Sequence, residues 1–317
     1  MFLVLLVYAL FASVFTTAKL ALFVSSPLFL IGFRMTLAGI LMLGYCLVTK
    51  SYQAPKRSTW IRLVLLGAIN IYLTNALEVW GLQYLTSFKT CFIYSLSPYL
   101  SALVSYFVFS EVLSGKKWAG LIVGFLGFLP ILLSHTDQEA ATGSLWLFSW
   151  AEIAVVGAVI CSVFGWILLQ KLVKHDAIEP LQANGFSMLF GGVIALIHSP
   201  LVENWQPTPV SDWAEFALWT VVLIIISNCV AYNLYGYLLR RFSATFMSFA
   251  GLTTPYFTAL FGALFLQESL TWTFFVSSFF VSLGLGIFYF EEMQKSPLQF
   301  LGFKRRPPSI ATETLPT

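Results

Sequence analysis

Charge is scarce in this 317-residue chain: Asp, Glu, Lys and Arg together make up 10% of it. A soluble domain carries roughly a quarter. The chain therefore cannot cover a water-facing surface, and two soluble domains, the ordinary reading of its length, are excluded. Cysteine is almost as rare. Cys46, Cys91, Cys161 and Cys229 stand singly in apolar stretches, with no CxxC, so neither a disulfide framework nor a zinc site is implied. They read as small apolar fillers. The three histidines, His135, His175 and His198, fall in connections or at the ends of apolar runs, no two at ligand spacing. HExxH, GxSxG, the P-loop and a strand-borne GxGxxG are all missing. Enzyme chemistry and a cofactor are thus not implied, and without a P-loop transport would be driven by a gradient or by exchange.

What the chain has is apolar surface. Residues of the AVILMFWYC set reach 58%, and mean hydropathy is +0.84. The expected fold class is an all-α membrane protein with ten transmembrane helices. Ten apolar segments can be marked, at about 2–20, 27–48, 61–83, 89–110, 117–134, 148–170, 182–199, 214–238, 244–266 and 271–290. Ten spans of about 20 residues use about 200 positions and leave no room for a separate soluble catalytic domain. Phe2 to Ala12 could pass for a signal-peptide core but has no basic flank before it, and counting it as a span makes the number of crossings even. The connections are short and polar: 51–59 is basic, 135–142 acidic, and 203–212 carries Pro207 and Pro209, which suits a turn. Residues 293–317 read as a disordered cytoplasmic tail.

Charge placement sets orientation. With the N-terminus cytoplasmic, cytoplasmic connections and the tail hold 14 of the 17 basic residues, from Lys50, Lys56, Arg57 and Arg62 through Lys116, Lys117, Lys171, Lys174, Arg240 and Arg241 to Lys295, Lys304, Arg305 and Arg306. The opposite side has Asp137, Glu139, Glu203, Asp212 and Glu215. The positive-inside rule then puts both termini in the cytoplasm, with the chain multi-pass in the cell (inner) membrane. These basic residues are topogenic, so nucleic acid is not an expected partner. Lipid bilayer and a small-molecule metabolite are, and a homodimer is left open.

The chain also repeats itself. Pro98-Tyr-Leu-Ser-Ala-Leu103 matches Pro255-Tyr-Phe-Thr-Ala-Leu260, and the same register pairs Glu111 with Glu268 and Gly127 with Gly284. Two residues out of that register, Ala76 and Gly81 pair with Ala231 and Gly236. Two five-helix halves, 1–138 and 139–292, follow. Five is odd, so the second half enters from the opposite side, an inverted repeat of the kind secondary transporters use for alternating access. Pro98 and Pro255 fall inside spans four and nine, where each should kink its helix, as a gating hinge or as a static packing kink. Ser95, Ser97, Thr253 and Thr254 precede them and can satisfy freed carbonyls. Gly120, Gly124, Gly127, Gly284 and Gly286 suit close helix contact.

Ionisable groups in mid-span are costly and persist when paired or used. Glu78 lies in span three, with Asn70 and Thr74 at four-residue spacing on its face and Asn75 beside it. Asn228, Tyr232 and Tyr235 form a comparable face of span eight. Both faces are expected to line one cavity, where Glu78 meets a cationic substrate group or carries a coupled proton, unless it is structurally paired with Arg34 or Lys89. Arg34 either snorkels or holds a substrate carboxylate. Lys19 and Lys89 read as snorkelling, and Glu111 and Glu268 as caps of the helices that follow them. Trp60, Trp118, Trp146, Trp150, Trp213 and Trp272 read as an interfacial belt. Trp80, Trp166, Tyr94, Tyr232 and Tyr256 are better placed for a cavity, to stack on a planar base or hold a cation.

Two five-helix halves, a Pro in the fourth helix of each, and a Glu thirteen residues later before a glycine-bearing fifth helix resemble the EamA family of the drug/metabolite transporter superfamily, over about residues 2–290. The family's usual Gly-Glu pair is Ser110-Glu111 and Gln267-Glu268 here. The resemblance implies ten transmembrane helices, a central cavity and secondary transport. An overall likeness, without a diagnostic motif, to the S-adenosylmethionine transporters of obligate intracellular bacteria implies uptake of that metabolite with S-adenosylhomocysteine leaving. Export of amino acids or drugs is the alternative within transport. A membrane enzyme or accessory subunit is the alternative from another class, and neither needs opposite-facing halves.

Overall fold

The computed structural model describes residues 2–109, 114–134, 136–176, 178–241 and 250–295. The described chain is nearly all helical. It runs through α1 (Phe2–Leu22), α2 (Pro27–Val48) and α3 (Arg57–Leu66), then a π-helical segment (Gly67–Leu73), α4 (Thr74–Leu82), α5 (Ser87–Tyr94), α6 (Ser97–Phe109) and α7 (Gly115–Leu132). After a short α8 (Asp137–Ala140) and a two-stranded hairpin, β1 (Ser144–Leu145) with β2 (Phe148–Ser149), come α9 (Trp150–His175) and α10 (Pro180–Val202). A second rod with a π-helical interruption follows: α11 (Trp213–Leu223), a π-helical segment (Ile224–Ala231) and α12 (Tyr232–Arg241). The last elements are a 3₁₀ turn (Gly251–Thr253), α13 (Thr254–Phe265) and α14 (Trp272–Lys295).

Local chemistry fixes the helix starts. Pro27 and Pro180 open α2 and α10, where a missing N–H costs nothing. Thr86, Ser114 and Asp212 cap α5, α7 and α11 through their side chains. Ser149 and Glu152 form a reciprocal capping box on α9. Among the described residues, eight helical rods are long and apolar enough to cross a membrane: α1, α2, α3 to α4, α7, α9, α10, α11 to α12, and α14.

The segments read as spans four and nine differ from expectation. Span four breaks at Ser95–Leu96, and Pro98 is the second residue of a new helix, not a kink inside an old one. Pro255 likewise is the second residue of α13. In a first turn proline's fixed φ suits the helix and no hydrogen bond is lost. The carbonyls before the break are met as the preceding serines and threonines suggest: Ser97 Oγ donates to Tyr94 O at 2.6 Å, and Thr253 Oγ1 to Ala250 O at 2.8 Å. Glu111 lies outside the described residues. At the other end α14 runs to Lys295, so residues 293–295, read as tail, are helical.

Two antiparallel pairs form the most extensive contacts: α2 with α10, and α7 with α14. Their backbones nearly touch. A Cβ on Gly39 would stand 2.6 Å from Leu189 N, and one on Gly120 2.6 Å from Phe288 N and 2.7 Å from Gly284 O. The contacts run from Gly32–Leu196 to Gly39–Leu189 in the first pair and from Gly120–Phe288 to Gly127–Val281 in the second, one number rising as the other falls. Without a hydrophobic drive between helices in lipid, such backbone proximity is what holds them together. α1 packs on α13, and α9 on α4.

Candidate functional site

The two π segments interrupt the rods that carry the polar residues. Inside them the backbone bonds five residues back: Thr74 N reaches Ile69 O, and Tyr232 N reaches Ser227 O. In the first rod this changes which side chains share a face. Thr74 turns its hydroxyl onto its own backbone, at 3.0 Å from Ile69 O. Asn75, expected beside the polar stripe, becomes a central member. It donates to Ile71 O at 2.8 Å, which fixes its amide, and its Oδ1 accepts from Arg34 Nη2 at 2.9 Å. Arg34 is 4% exposed and its Nε has no partner.

Glu78, one turn beyond Asn75, accepts a 2.5 Å hydrogen bond from Tyr94 Oη. Arg34 and Glu78 lie in each other's electrostatic field, as does Tyr232. They do not close into an ion pair at 4.0 Å or less. Lys89 is not available to Glu78, since it is engaged elsewhere.

An aromatic wall adjoins this charged corner. Trp166 of α9 stacks on Tyr232 of α12, with centroids 5.7 Å apart at 25°, and lies 5.6 Å from Tyr235. Phe11 of α1 sets its edge against both tyrosines at 5.9 Å, and Phe15 packs on Tyr94 at 5.5 Å. Asn70 packs against Gly165, next to Trp166. Glu78, Tyr94, Tyr232 and Tyr235 are each partly exposed.

The structure thus brings together Arg34, Asn75, Glu78, Tyr94, Trp166, Tyr232 and Tyr235. Trp80 is instead 38% exposed against Tyr84, and Tyr256 47% exposed against Phe274. Asn228 is fully buried, its amide nitrogen 3.4 and 3.3 Å from the sulfurs of Met35 and Met188, its Oδ1 unpartnered. Phe11 and Phe15 were not singled out by sequence, being two among 31 phenylalanines.

A second polar feature surrounds the start of α5. Lys89, expected to snorkel, is 3% exposed, as burial against two acids requires. Its Nζ lies 2.8 and 2.9 Å from the two Glu139 oxygens and 2.9 Å from Glu152 Oε1, and donates to Ser134 O at 3.0 Å. Glu139, placed by sequence in a polar connection, is wholly buried and also accepts from Ser149 Oγ. Lys19 pairs with Glu268 at 3.1 Å. Glu268 does not cap the helix after it; it accepts from Ser87 N and Ser87 Oγ, both at 2.8 Å, at the start of α5. The available signal was the charge count: Lys19, Arg34 and Lys89 are the three basics that fit no cytoplasmic connection, and all three are engaged inside the protein.

Membrane-length helices with a charged and aromatic cluster among them mark a multi-pass membrane protein. The family model of the EamA-like transporter family matches residues 1–133 and 149–290, and the chain belongs to that family. It is a transporter and not an enzyme. A Chlamydia muridarum protein named S-adenosylmethionine/S-adenosylhomocysteine transporter is 37% identical over 296 residues, covering 93% of this chain and 92% of that one. A protein of the same name from Chlamydia trachomatis serovar L2 is 37% identical over 295 residues, 93% of this chain and 90% of that one. An uncharacterized transporter of Synechocystis is 27% identical over 78% of this chain and 76% of its own. A solved crystal structure superposes with a TM-score of 0.63 at 14% identity, over 93% of this chain and 96% of that one, which shows the shared fold.

Proposed function

We propose that the protein exchanges S-adenosylmethionine for S-adenosylhomocysteine across the cytoplasmic membrane by alternating access, through the recess between α2, α4, α5, α9 and α12. The observation that carries this reading is the meeting of Glu78 and Arg34 with the stacked Trp166–Tyr232 pair. A planar base suits the rings, and a cationic group suits the carboxylate. The names of the Chlamydia relatives supply the substrates.

The architecture belongs to the same proposal: ten spans, counting α5 with α6 and the 3₁₀ turn with α13, in two inverted halves, 1–138 and 139–292, with both termini cytoplasmic. Three observations support it. The family matches the chain in two blocks. The π segments, and the helices opening on Pro98 and Pro255, recur at equivalent places in both blocks. The equivalent helices α2 and α10 run antiparallel, as do α7 and α14. The turn before Pro98 and the 3₁₀ turn before Pro255, where the α-helical hydrogen-bond pattern gives way to three-residue bonds, serve as hinges.

Glu78→Gln tests the site. In vesicles containing purified protein it should cut uptake of labelled S-adenosylmethionine at least tenfold, on the order of one charge-assisted hydrogen bond, while the protein still elutes as a folded species. Unchanged uptake removes Glu78 from the site. Counterflow against a panel of metabolites tests the substrate: accumulation driven only by preloaded amino acids or drugs would overturn the choice.

A further inference from the structure

We infer that Arg34 and Glu78 together grip the α-amino-acid end of the substrate, carboxylate on Arg34 and ammonium on Glu78, so that the sulfur is not read by its charge. This rests on the exchange reading above.

A buried ion is costly unless matched. Here two opposite ions share a recess, yet each is held by a neutral partner of its own. Asn75 holds Arg34, and Tyr94 holds Glu78. Arg34 keeps Nε unpartnered although the residue is 4% exposed. Glu78 has the Tyr94 hydroxyl as its hydrogen-bond partner and stays partly accessible. Asn75 and Glu78 are three residues apart on one helix, hence neighbours on its surface. The arrangement keeps a positive and a negative group adjacent but unjoined, with donors left on one and acceptors on the other. A ligand that completes both carries opposite charges on neighbouring atoms. An α-amino acid does so, since its carboxylate and ammonium sit on one carbon.

Exchange gives the argument its consequence. S-adenosylmethionine has a positive sulfonium and S-adenosylhomocysteine a neutral thioether, while both keep the amino-acid end and the adenosine. A carrier that placed the Glu78 carboxylate on the sulfur would hold the two very unequally. Charges directed at the shared end, with the rings taking the shared base, leave the site nearly blind to the methyl group that distinguishes them.

The test is competition against labelled S-adenosylmethionine in vesicles carrying the full chain. Three competitors are used: S-adenosylhomocysteine, decarboxylated S-adenosylmethionine, and 5′-methylthioadenosine, which lacks the whole amino-acid end. In the native protein the first should compete within about tenfold of unlabelled substrate, and the other two about tenfold or more weakly, the scale of a lost charge-assisted hydrogen bond. Arg34→Gln should bring decarboxylated and intact substrate to parity, whereas Arg34→Lys, which keeps the charge, should retain part of the preference. The native-protein arm needs no variant to fold. If decarboxylated substrate competes as well as intact substrate in the native protein, the inference fails and the functional reading stands. It fails likewise if S-adenosylhomocysteine is a hundredfold weaker and Glu78→Gln abolishes that gap. If neither metabolite is carried at all, the functional reading falls and the inference with it.

Discussion

Replacing Lys89 by Met should be among the most damaging single changes outside the recess. Methionine keeps the apolar stem and removes only the ammonium. Glu139 and Glu152, 0% and 1% exposed, would then lose the ammonium that lies 2.8 and 2.9 Å from their oxygens. Breaking a buried pair by removing one partner costs about 3–5 kcal/mol. With a shift of roughly 2–4 °C per kcal/mol for a chain of 150–250 residues, the melting midpoint should fall by about 6–20 °C. Unfolding from detergent is irreversible, so midpoints are compared at one heating rate, by the folded fraction surviving on size exclusion. Adding Glu139→Gln and Glu152→Gln removes the charges that Lys89 balances and should recover most of the loss, because amides still hydrogen-bond to Ser149. A single variant that melts within about 2 °C of the native protein, or a triple variant as fragile as the single, would refute the reasoning.

Two further substitutions probe packing. Gly120→Val puts its branch against the backbone of Gly284 and Phe288 and should cost about 1–3 kcal/mol or more of stability by overpacking, whereas Gly286→Val, with open space beside it, should change stability by about 0.5 kcal/mol or less, read as the shift in melting midpoint. Asn228→Leu replaces a buried amide whose oxygen has no partner, so the midpoint should hold or rise; a clear fall would mean the amide is needed for folding.

The sequence conveyed composition and periodicity well and hydrogen-bond register poorly. Span two was read at 27–48 and is helical over those residues, because Pro27 and a long apolar run mark it unambiguously. Spans four and nine were read as continuous because hydropathy counts side chains and does not see where the backbone breaks; both prolines in fact start helices. The stripe Asn70–Thr74–Glu78 assumed one α-helical period. The π segment inserts a different one, which sends Thr74 back onto the backbone and puts Asn75 in line with Glu78. Trp166 meets Tyr232 and Tyr235, while Trp80 and Tyr256 are 38% and 47% exposed. Position along a span gives depth, and only packing gives the side. Lys89 and Glu139 were separately legible as an odd cation and a loop acid, and their pairing across 50 residues was not.

The two glycine seams carry a mechanical consequence. Where main chains lie against each other, neither rod can slide or roll without colliding with the peptide groups of the other. The α2–α10 and α7–α14 pairs therefore behave as two rigid struts, each tying the first half of the chain to the second. A third close approach joins α4 to α9, where a Cβ on Gly81 would stand 2.9 Å from Ala151 O. Any rearrangement of the two halves must therefore spare these seams, and Arg34, carried on α2, moves only with its strut.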